Sequence, residues 1–120
     1  MTQNKINKPW GHEIIFTPKG NPRTGKILFL KKGHKFSLQY HEQKEETLCL
    51  FKGKAKIWLE NNQGEIEKIN MKPKQGYHIS INQKHRVEAL EDCYLFEVSS
   101  PEKGTTVRIE DDYNRGNEKK

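Results

Sequence analysis

Short apolar runs, separated by turn residues, follow one another along most of the chain. Residues i and i+2 of a strand point to the same face, and several of these runs alternate between apolar and polar positions. None of the runs shows a sustained helical period. The pattern predicts strands over residues 12–17, 26–31, 36–41, 46–52, 54–59, 65–71, 77–81, 85–90 and 93–99. Strands spaced this closely, with turns between them, are typical of an antiparallel sandwich or barrel.

The length and the ends of the chain predict one domain. A chain of 120 residues is long enough to enclose a single compact core. Residues 1–8 and 116–120 are rich in lysine, asparagine and glycine, so we expect a flexible N-terminus and a flexible C-terminal tail. Residues 9–115 are then the folded, all-β domain.

The apolar runs and the cysteines of the chain indicate where in the cell we expect the protein. No apolar run approaches the roughly 20 residues that a membrane-spanning helix needs. The basic start is not followed by an apolar segment, so no secretory signal is visible. Two cysteines, Cys49 and Cys93, are more typical of reduced thiols than of a disulfide framework. We therefore expect a soluble, cytoplasmic protein with no membrane partner.

The net charge of +6 does not by itself indicate nucleic-acid binding. Lysines are scattered along the chain and interleaved with glutamates, without a dense basic helix or a basic-aromatic strand. We expect no nucleic-acid partner. The same charge could attract a small phosphorylated or carboxylated ligand.

Candidate metal ligands occur on one of the predicted strands and at the starts of two others. Gln39 and His41 are two residues apart, so both side chains point to the same face of their strand. Glu46 follows at the start of the next strand, and His85 begins a later one. An amide oxygen, two imidazole nitrogens and a carboxylate that meet at one point could hold a divalent cation.

The alternation within these strands agrees with an inward position for the ligands. Glu46 shares its face with Leu48 and Leu50, and His85 shares its face with Val87. Each ligand therefore has apolar neighbours, as expected for the interior of a small β-domain. The opposite face of the Glu46 strand carries Thr47, Cys49 and Phe51, so it is not cleanly polar.

Several motifs together resemble one family. Residues 34–53 resemble the type II phosphomannose isomerase branch of the cupins, in which glutamine replaces the first histidine of His-x-His; residues 37–41 match its Ser-Leu-Gln-x-His. His85-Arg86 is similar to the end of the second cupin motif. Residues 9–11 (PWG) and 107–115 (VRIEDDYNR) are similar to the start and the closing segment of that branch. The resemblance covers nearly the whole chain.

The resemblance implies a small antiparallel β-barrel or jelly roll that encloses one divalent metal ion, which could be Zn, Mn, Fe, Ni or Co. Carried over position by position, the ligands would be Gln39, His41, Glu46 and His85.

The chain departs from the family at three positions. Ser80 and Asn82 stand where the second motif has proline and glycine, and Asn114 replaces a glycine. Asparagine tolerates the left-handed backbone conformation better than most residues, so we expect Asn82 and Asn114 to preserve their turns.

The implied activity is the isomerisation of an aldose phosphate to a ketose phosphate, with the metal as Lewis acid. A phosphate could be held by Arg108, with Arg86 or a lysine, because a guanidinium matches phosphate bidentately. Tyr77 is a further candidate for contact with the substrate. The sequence does not identify the general base, for which the candidates are Tyr77, His34, His78, Glu13 and lysines.

Two other functions and an assembly are also consistent with the sequence. Histidines plus a carboxylate suit a non-haem iron dioxygenase, and a non-catalytic cupin could use the metal to orient a carbohydrate. We expect a homodimer in which an edge strand, around Trp10–Thr17, lies at or near the interface.

Overall fold

The computed structural model describes residues 4–101, 103–113, 115–116 and 118–119. Over these residues the chain forms strands and turns and no helix. The strands are β1 (Asn4–Lys8), β2 (Gly11–Ile15), β3 (Thr24–Leu30), β4 (Leu38–His41), β5 (Glu46–Lys52), β6 (Ala55–Glu60), β7 (Ile66–Asn70), β8 (Gly76–Ile79), β9 (His85–Ala89), β10 (Cys93–Ser99), β11 (Thr105–Glu110) and β12 (Glu118–Lys119).

The strands form two antiparallel six-stranded sheets. The first sheet has the order β1-β2-β3-β10-β5-β8, and the second has the order β12-β11-β4-β9-β6-β7. The two sheets pack face to face around one core, so the all-β, jelly-roll prediction is confirmed. The sheets form a sandwich and do not close into a continuous barrel.

Every strand predicted from the alternation is present, with bounds shifted by a few residues. The structure adds β1, β11 and β12. Strand β1 lies within the segment that we expected to be flexible. It is a strand because its backbone pairs with β2, from Asn4 opposite Ile15 to Lys8 opposite Gly11. Strand β12 pairs with β11. Strands β1 and β12 have polar sequences, so pairing with their neighbours selects the extended conformation, whereas β11 is rich in β-branched residues that favour strands.

The segment around Trp10–Thr17, which we expected at the edge of a sheet, contains β2. Strand β1 covers its free side, so β2 is not an edge strand and the expectation is wrong on this point. The homodimer itself stays a prediction.

The interior of the first sheet changes from apolar to polar along its strands. On β3, the inward positions run from Leu30 through Leu28 to Lys26, and on β10 they run through Leu95 to Glu97. The apolar end is packed against residues of the second sheet, including Ile57 and Val87. The polar end holds the candidate site. The predicted inward phase of Glu46, Leu48 and Leu50 is confirmed.

Special backbone conformations occur where the sequence indicated them. Gly53 joins β5 to β6 at a φ of 94°, and a Cβ there would overlap the carbonyl oxygen of Asp92. Asn82 has a φ of 65°, so it does preserve the left-handed turn before β9. Asn114 lies outside the described residues.

Cys49 and Cys93 are free thiols. In the described part of the chain, no helix is long and apolar enough to cross a membrane.

Candidate metal centre

Three side chains from both sheets meet at the polar end of the sandwich. Strand β4 supplies His41, β9 supplies His85, and β5 supplies Glu46 from the opposite sheet. Their ligand atoms lie within 4.8 Å of one another, and all three residues are buried. The Nε2 atom of His85 is 3.0 Å from Oε1 of Glu46, and Nε2 of His41 is 3.4 Å from the same oxygen.

The outer nitrogens of the two imidazoles have partners that orient the rings. Nδ1 of His85 donates a hydrogen bond to the carbonyl oxygen of Gln83 (3.0 Å), which leaves its Nε2 with the lone pair. Nδ1 of His41 lies 2.9 Å from the hydroxyl of Thr106. Within the described residues, neither buried Nε2 makes a hydrogen bond of good geometry. Buried nitrogens without a hydrogen bond, oriented from behind, are the arrangement expected of metal ligands.

Gln39 lies beside this triad. Its backbone pairs with His85 across β4 and β9, and it lines the same pocket as His41 and Glu46. Its Oε1 accepts a hydrogen bond of 2.7 Å from the hydroxyl of Ser37, which fixes the amide. The role of Gln39 as a fourth ligand remains a prediction.

The protonation states favour a cation at this point. Burial opposes ionisation of Glu46, but the neighbouring charge of Lys44 acts in the opposite direction, and the pKa of Glu46 lies well below its usual value. Burial, assisted by Lys44, lowers the pKa of His41. One carboxylate and neutral imidazole nitrogens are the donor set of first-row divalent ions. The residues therefore fit the metal that the sequence implies.

A pocket opens in front of His41 and Glu46, with a free volume of about 60 Å³. Such a volume holds a few water molecules or the end of a small ligand. The pocket is lined by Lys8, Trp10, Glu13, Lys26, Leu28, Phe36, Gln39, His41, Lys44, Glu46, Glu97, Thr106, Arg108 and Arg115.

One wall of the pocket is a chain of alternating charges. Contacts of 3.9, 3.5, 4.0, 3.2 and 3.4 Å connect, in order, Lys8, Glu13, Lys26, Glu97, Lys44 and Glu46. The exposed fraction of the side chain falls from 18% at Lys8 to 3% at Glu46. The chain of charges therefore leads from the mouth of the pocket to the triad.

Glu97 has an unusual environment within this wall. Burial raises its pKa to about 7, and the nearby charge of Glu46 adds to the effect. Lys44, at 3.2 Å, and Lys26, at 4.0 Å, oppose the shift but do not outweigh it.

Of the three candidate substrate residues, one lies in the pocket. Arg108 pairs with Gln39 across β11 and β4 and lines the pocket. Arg86 lies on the outer side of its sheet, where it is 1% exposed and its Nε donates to the carbonyl oxygen of Phe36 (2.7 Å). Tyr77 is in the core, with its hydroxyl accepting from the backbone of Lys72 (2.8 Å).

The candidate bases are also separated by the structure. His34 lies 2.7 Å from the hydroxyl of Tyr113, and His78 is exposed beside Thr47; neither lines the pocket. Glu13 does line the pocket, as do several lysines.

Lys26, Lys44 and Glu97 were not singled out from the sequence. Two of them carried a readable signal, because Lys26 shares the inward phase of β3 with Leu28 and Leu30, and Glu97 shares that of β10 with Cys93 and Leu95.

The chain matches the model of the family "Mannose-6-phosphate isomerase C-terminal" over residues 1–116. It belongs to this family. The match includes the triad, Gln39 and Arg108. A comparison with curated protein sequences gave no match.

Solved structures share the fold of this cupin domain at low sequence identity. The capsular polysaccharide assembling protein CapF from Staphylococcus aureus has a TM-score of 0.75 and 14% identity over 98% of this chain and 31% of its own. KdgF from Halomonas sp. has a TM-score of 0.70 and 17% identity over 86% of this chain and 90% of its own. A tryptophan-to-tyrosine variant of oxalate decarboxylase from Bacillus subtilis has a TM-score of 0.71 and 16% identity over 82% of this chain and 27% of its own. The cupin domain thus spans less than a third of two of these chains.

Proposed function

We propose that this cupin domain binds one divalent metal ion and isomerises an aldose phosphate to a ketose phosphate, or acts on a closely related sugar derivative. The ligands in this proposal are His41, Glu46 and His85, with Gln39 as the fourth. The observation that carries it is the convergence of three buried ligand atoms within 4.8 Å of one another, two of which, from His41 and Glu46, belong to residues that line an open pocket. The family to which the chain belongs supports the same reaction class.

A bound ion would act as a Lewis acid on the carbonyl and hydroxyl oxygens of the substrate. Gln39 and the imidazoles are neutral ligands, so Glu46 supplies the one negative charge among the four. The Bacillus subtilis oxalate decarboxylase contains Mn(II) centres. Mn(II) is therefore the first ion to test here, together with Zn, Fe, Ni and Co.

The pocket favours an anionic substrate. Five lysine and arginine side chains line it, against three carboxylates. Its free volume of about 60 Å³ is small for a whole hexose phosphate. In our proposal only the reacting end of the sugar enters, and the phosphate stays at the mouth. Arg108 would hold the phosphate there, since its planar guanidinium can donate two parallel hydrogen bonds.

The proton that moves between neighbouring carbons needs a group within hydrogen-bond reach. Two carboxylates of the pocket wall, Glu97 and Glu13, are not among the proposed metal ligands. We assign the transfer to Glu97, because it lies nearer the triad, 3.2 Å from the Lys44 ammonium that also contacts Glu46. Glu13 lies further along the same wall, beside Lys26 and Lys8.

A second candidate function rests on the composition of the triad. Two histidines and one carboxylate with open positions are also the ligand set of non-haem iron oxygenases. In that case, an Fe(II)-loaded sample would consume oxygen in the presence of its substrate. A third candidate is a non-catalytic cupin in which the metal orients a bound carbohydrate.

The test is turnover of metal-loaded protein with a panel of sugar phosphates that includes mannose 6-phosphate and fructose 6-phosphate, followed by NMR. We expect Glu46→Gln to abolish most turnover, because it removes the anionic ligand. Arg108→Ala should raise KM more than it lowers kcat, because it removes a group that binds the substrate away from the reacting carbons. Arg23→Ala is the matched control, since Arg23 is exposed and does not line this pocket.

Absence of turnover across the panel, with metal content measured in the same sample, would refute the isomerase proposal. Oxygen uptake by the Fe(II) form would then support the oxygenase. Carbohydrate binding without oxygen uptake or turnover would support the non-catalytic cupin.

A further inference from the structure

Arg115 lines the pocket and has no part in the function proposed above. It lies in the turn after β11, residues 111–113 and 115–116, which we call the Asp111 turn. The other arginine of the pocket, Arg108, is on β11 itself. Arg108 belongs to the second sheet and Arg115 follows it, whereas the wall of alternating charges comes mainly from the first sheet. The two arginines therefore form a separate side of the pocket.

The carboxylate of Asp111 holds the guanidinium of Arg115 along one edge. Nε of Arg115 donates to Oδ2 of Asp111 (3.0 Å), and Nη2 donates to Oδ1 (3.2 Å). The backbone N–H of Arg115 donates to Oδ2 (2.7 Å), and that of Tyr113 donates to Oδ1 (3.4 Å). The side chain of Asp111 is 4% exposed, against 23% for Arg115. The carboxylate is thus enclosed, and the more exposed guanidinium extends from it to the pocket.

This clamp leaves Arg115 able to bind a ligand. Burial opposes ionisation of Asp111, the hydrogen bonds from Arg115 act in the opposite direction, and the pKa of Asp111 lies below its usual value. A guanidinium has five N–H donors, and Asp111 accepts from two of them, so three are left on the other edges. An arginine loses much rotamer freedom when it binds a ligand. Because Asp111 fixes the side chain beforehand, less of that freedom is lost on binding.

The Asp111 turn is attached to the body of the domain on its other side. The rings of Tyr113 and His34 are parallel within 5°, and the hydroxyl of Tyr113 lies 2.7 Å from Nδ1 of His34. The carboxylate of Asp112 lies 3.2 Å from Nζ of Lys35 and 3.5 Å from Nη2 of Arg86. The turn therefore has a fixed place beside the pocket, and its arginine has one too.

The same turn also orients Arg108. Nη1 of Arg108 donates to the carbonyl oxygen of Gly116, the residue that follows Arg115 (2.6 Å). We propose that Arg115 is the second arm of a two-arginine grip that binds the phosphate of the substrate together with Arg108, and that Asp111 is the positioning residue of this grip. The inference rests on the function proposed above and adds to it the group that distinguishes a phosphorylated sugar from a neutral one.

The grip requires arginine at position 115. Only a planar fork can bind Asp111 with one edge and a phosphate with another. A lysine presents a single ammonium, which cannot make the two parallel hydrogen bonds to Asp111 and also face the phosphate in a fixed direction. Arg115→Lys keeps the charge and removes this geometry, so it separates the two contributions.

The experiment is calorimetric binding of mannose 6-phosphate, inorganic phosphate and mannose to the full chain. Measurement in chelator prevents phosphate from binding to a metal ion instead of the arginines. We expect Arg115→Ala to bind both phosphates roughly 10- to 100-fold more weakly than the wild type, because it removes hydrogen bonds to a charged group. Binding of mannose should not change, and Arg115→Lys should recover little. Arg23→Ala is the matched control, an exposed arginine that does not line this pocket.

A double-variant cycle tests the positioning role of Asp111. Asp111→Ala removes a negative charge, which favours phosphate, but water screens that charge at the mouth of the pocket, whereas Arg115 loses its fixed geometry. We therefore expect several-fold weaker phosphate binding in Asp111→Ala and no further weakening when Arg115→Ala is already present. Unchanged or tighter binding by folded Asp111→Ala would show that Asp111 does not position Arg115.

The outcomes separate the grip from the isomerase. Equal phosphate affinity of wild type and folded Arg115→Ala would overturn the grip, and so would a wild type that binds neither phosphate. Circular dichroism checks folding, and Arg115→Lys takes the place of Arg115→Ala if the latter does not fold. Turnover of a sugar phosphate with an unchanged KM in Arg115→Ala would refute the grip and leave the isomerase. Phosphate binding that depends on Arg115, without turnover of any sugar phosphate, would refute the isomerase and leave the grip.

Discussion

Replacement of His85 by alanine separates metal-linked stability from the packing of the domain. His85 is fully buried, its Nδ1 donates to Gln83, and its Nε2 is 3.0 Å from Glu46. His85→Ala removes one ligand nitrogen and leaves a small cavity. Both losses lower the free energy of unfolding, but only the first depends on metal.

The metal-dependent part of the free energy of unfolding can be calculated from the linkage between metal binding and folding. A ligand present at 100 times its Kd stabilises the native state by about 2.7 kcal/mol. For a domain of this length, 1 kcal/mol corresponds to roughly 4 °C in the midpoint of thermal unfolding. We therefore expect metal to raise the Tm of the wild type by roughly 10 °C. The increase should be much smaller for His85→Ala, since a site with fewer ligands binds metal more weakly.

The assay is thermal unfolding, followed by circular dichroism, of each protein with chelator and with a series of divalent ions. Subtraction of the chelator value removes the effect of the cavity. His34→Ala is the control, because His34 is a histidine outside the pocket, bonded to Tyr113. It should retain the full metal-dependent increase. An equal increase for His85→Ala and the wild type would show that the triad is not the metal site.

Two further predictions test the surroundings of the site. Lys44→Met leaves the buried carboxylates of Glu97 and Glu46 without their shared ammonium, so it should lower the free energy of unfolding, measured with urea, by about 3–5 kcal/mol. The double variant Lys44→Met, Glu97→Gln should recover part of this loss. No recovery would contradict the contact between Lys44 and Glu97. Burial, with the charge of Asp92, raises the pKa of Cys93 to about 11, so its thiolate is scarce at pH 8 and becomes available only as the pH approaches 11. A thiol reagent at pH 8 should therefore leave Cys93 unmodified in the native protein and label it after unfolding, and rapid native labelling of Cys93 in a Cys49→Ser background would show that this burial is wrong.

The alternation of residues was enough to predict much of the fold. Strand β5 alternates Glu46, Leu48 and Leu50 with Thr47, Cys49 and Phe51, and the structure buries the first set. This works because side chains of a strand alternate between its faces, whatever the strand pairs with. The spacing of Gln39, His41, Glu46 and His85 likewise identified the triad that the structure brings together.

The polar strands and the neighbours of the triad depended on tertiary structure. Strand β11 was not predicted, yet its pairing with β4 sets Arg108 opposite Gln39 and so places it in the pocket. Arg86 looked equivalent in the sequence but points out of the sandwich, because it follows His85 on the same strand. Strand register decides such positions, and register is set by residues far away along the chain.

The sequence by itself determined nine of the strands, the inward phase of the two that carry Glu46 and His85, and the three residues of the candidate metal centre, because these depend on local alternation and motif spacing. The tertiary structure alone decided that Lys8, Glu13, Lys26, Glu97 and Lys44 form a charged wall beside the triad. It also decided that outward aromatic residues from β3, β5 and β10 lie side by side on the first sheet. Both surfaces combine side chains from strands that are distant in sequence. Their contacts therefore follow from the order of strands in the sheet, which no local pattern encodes.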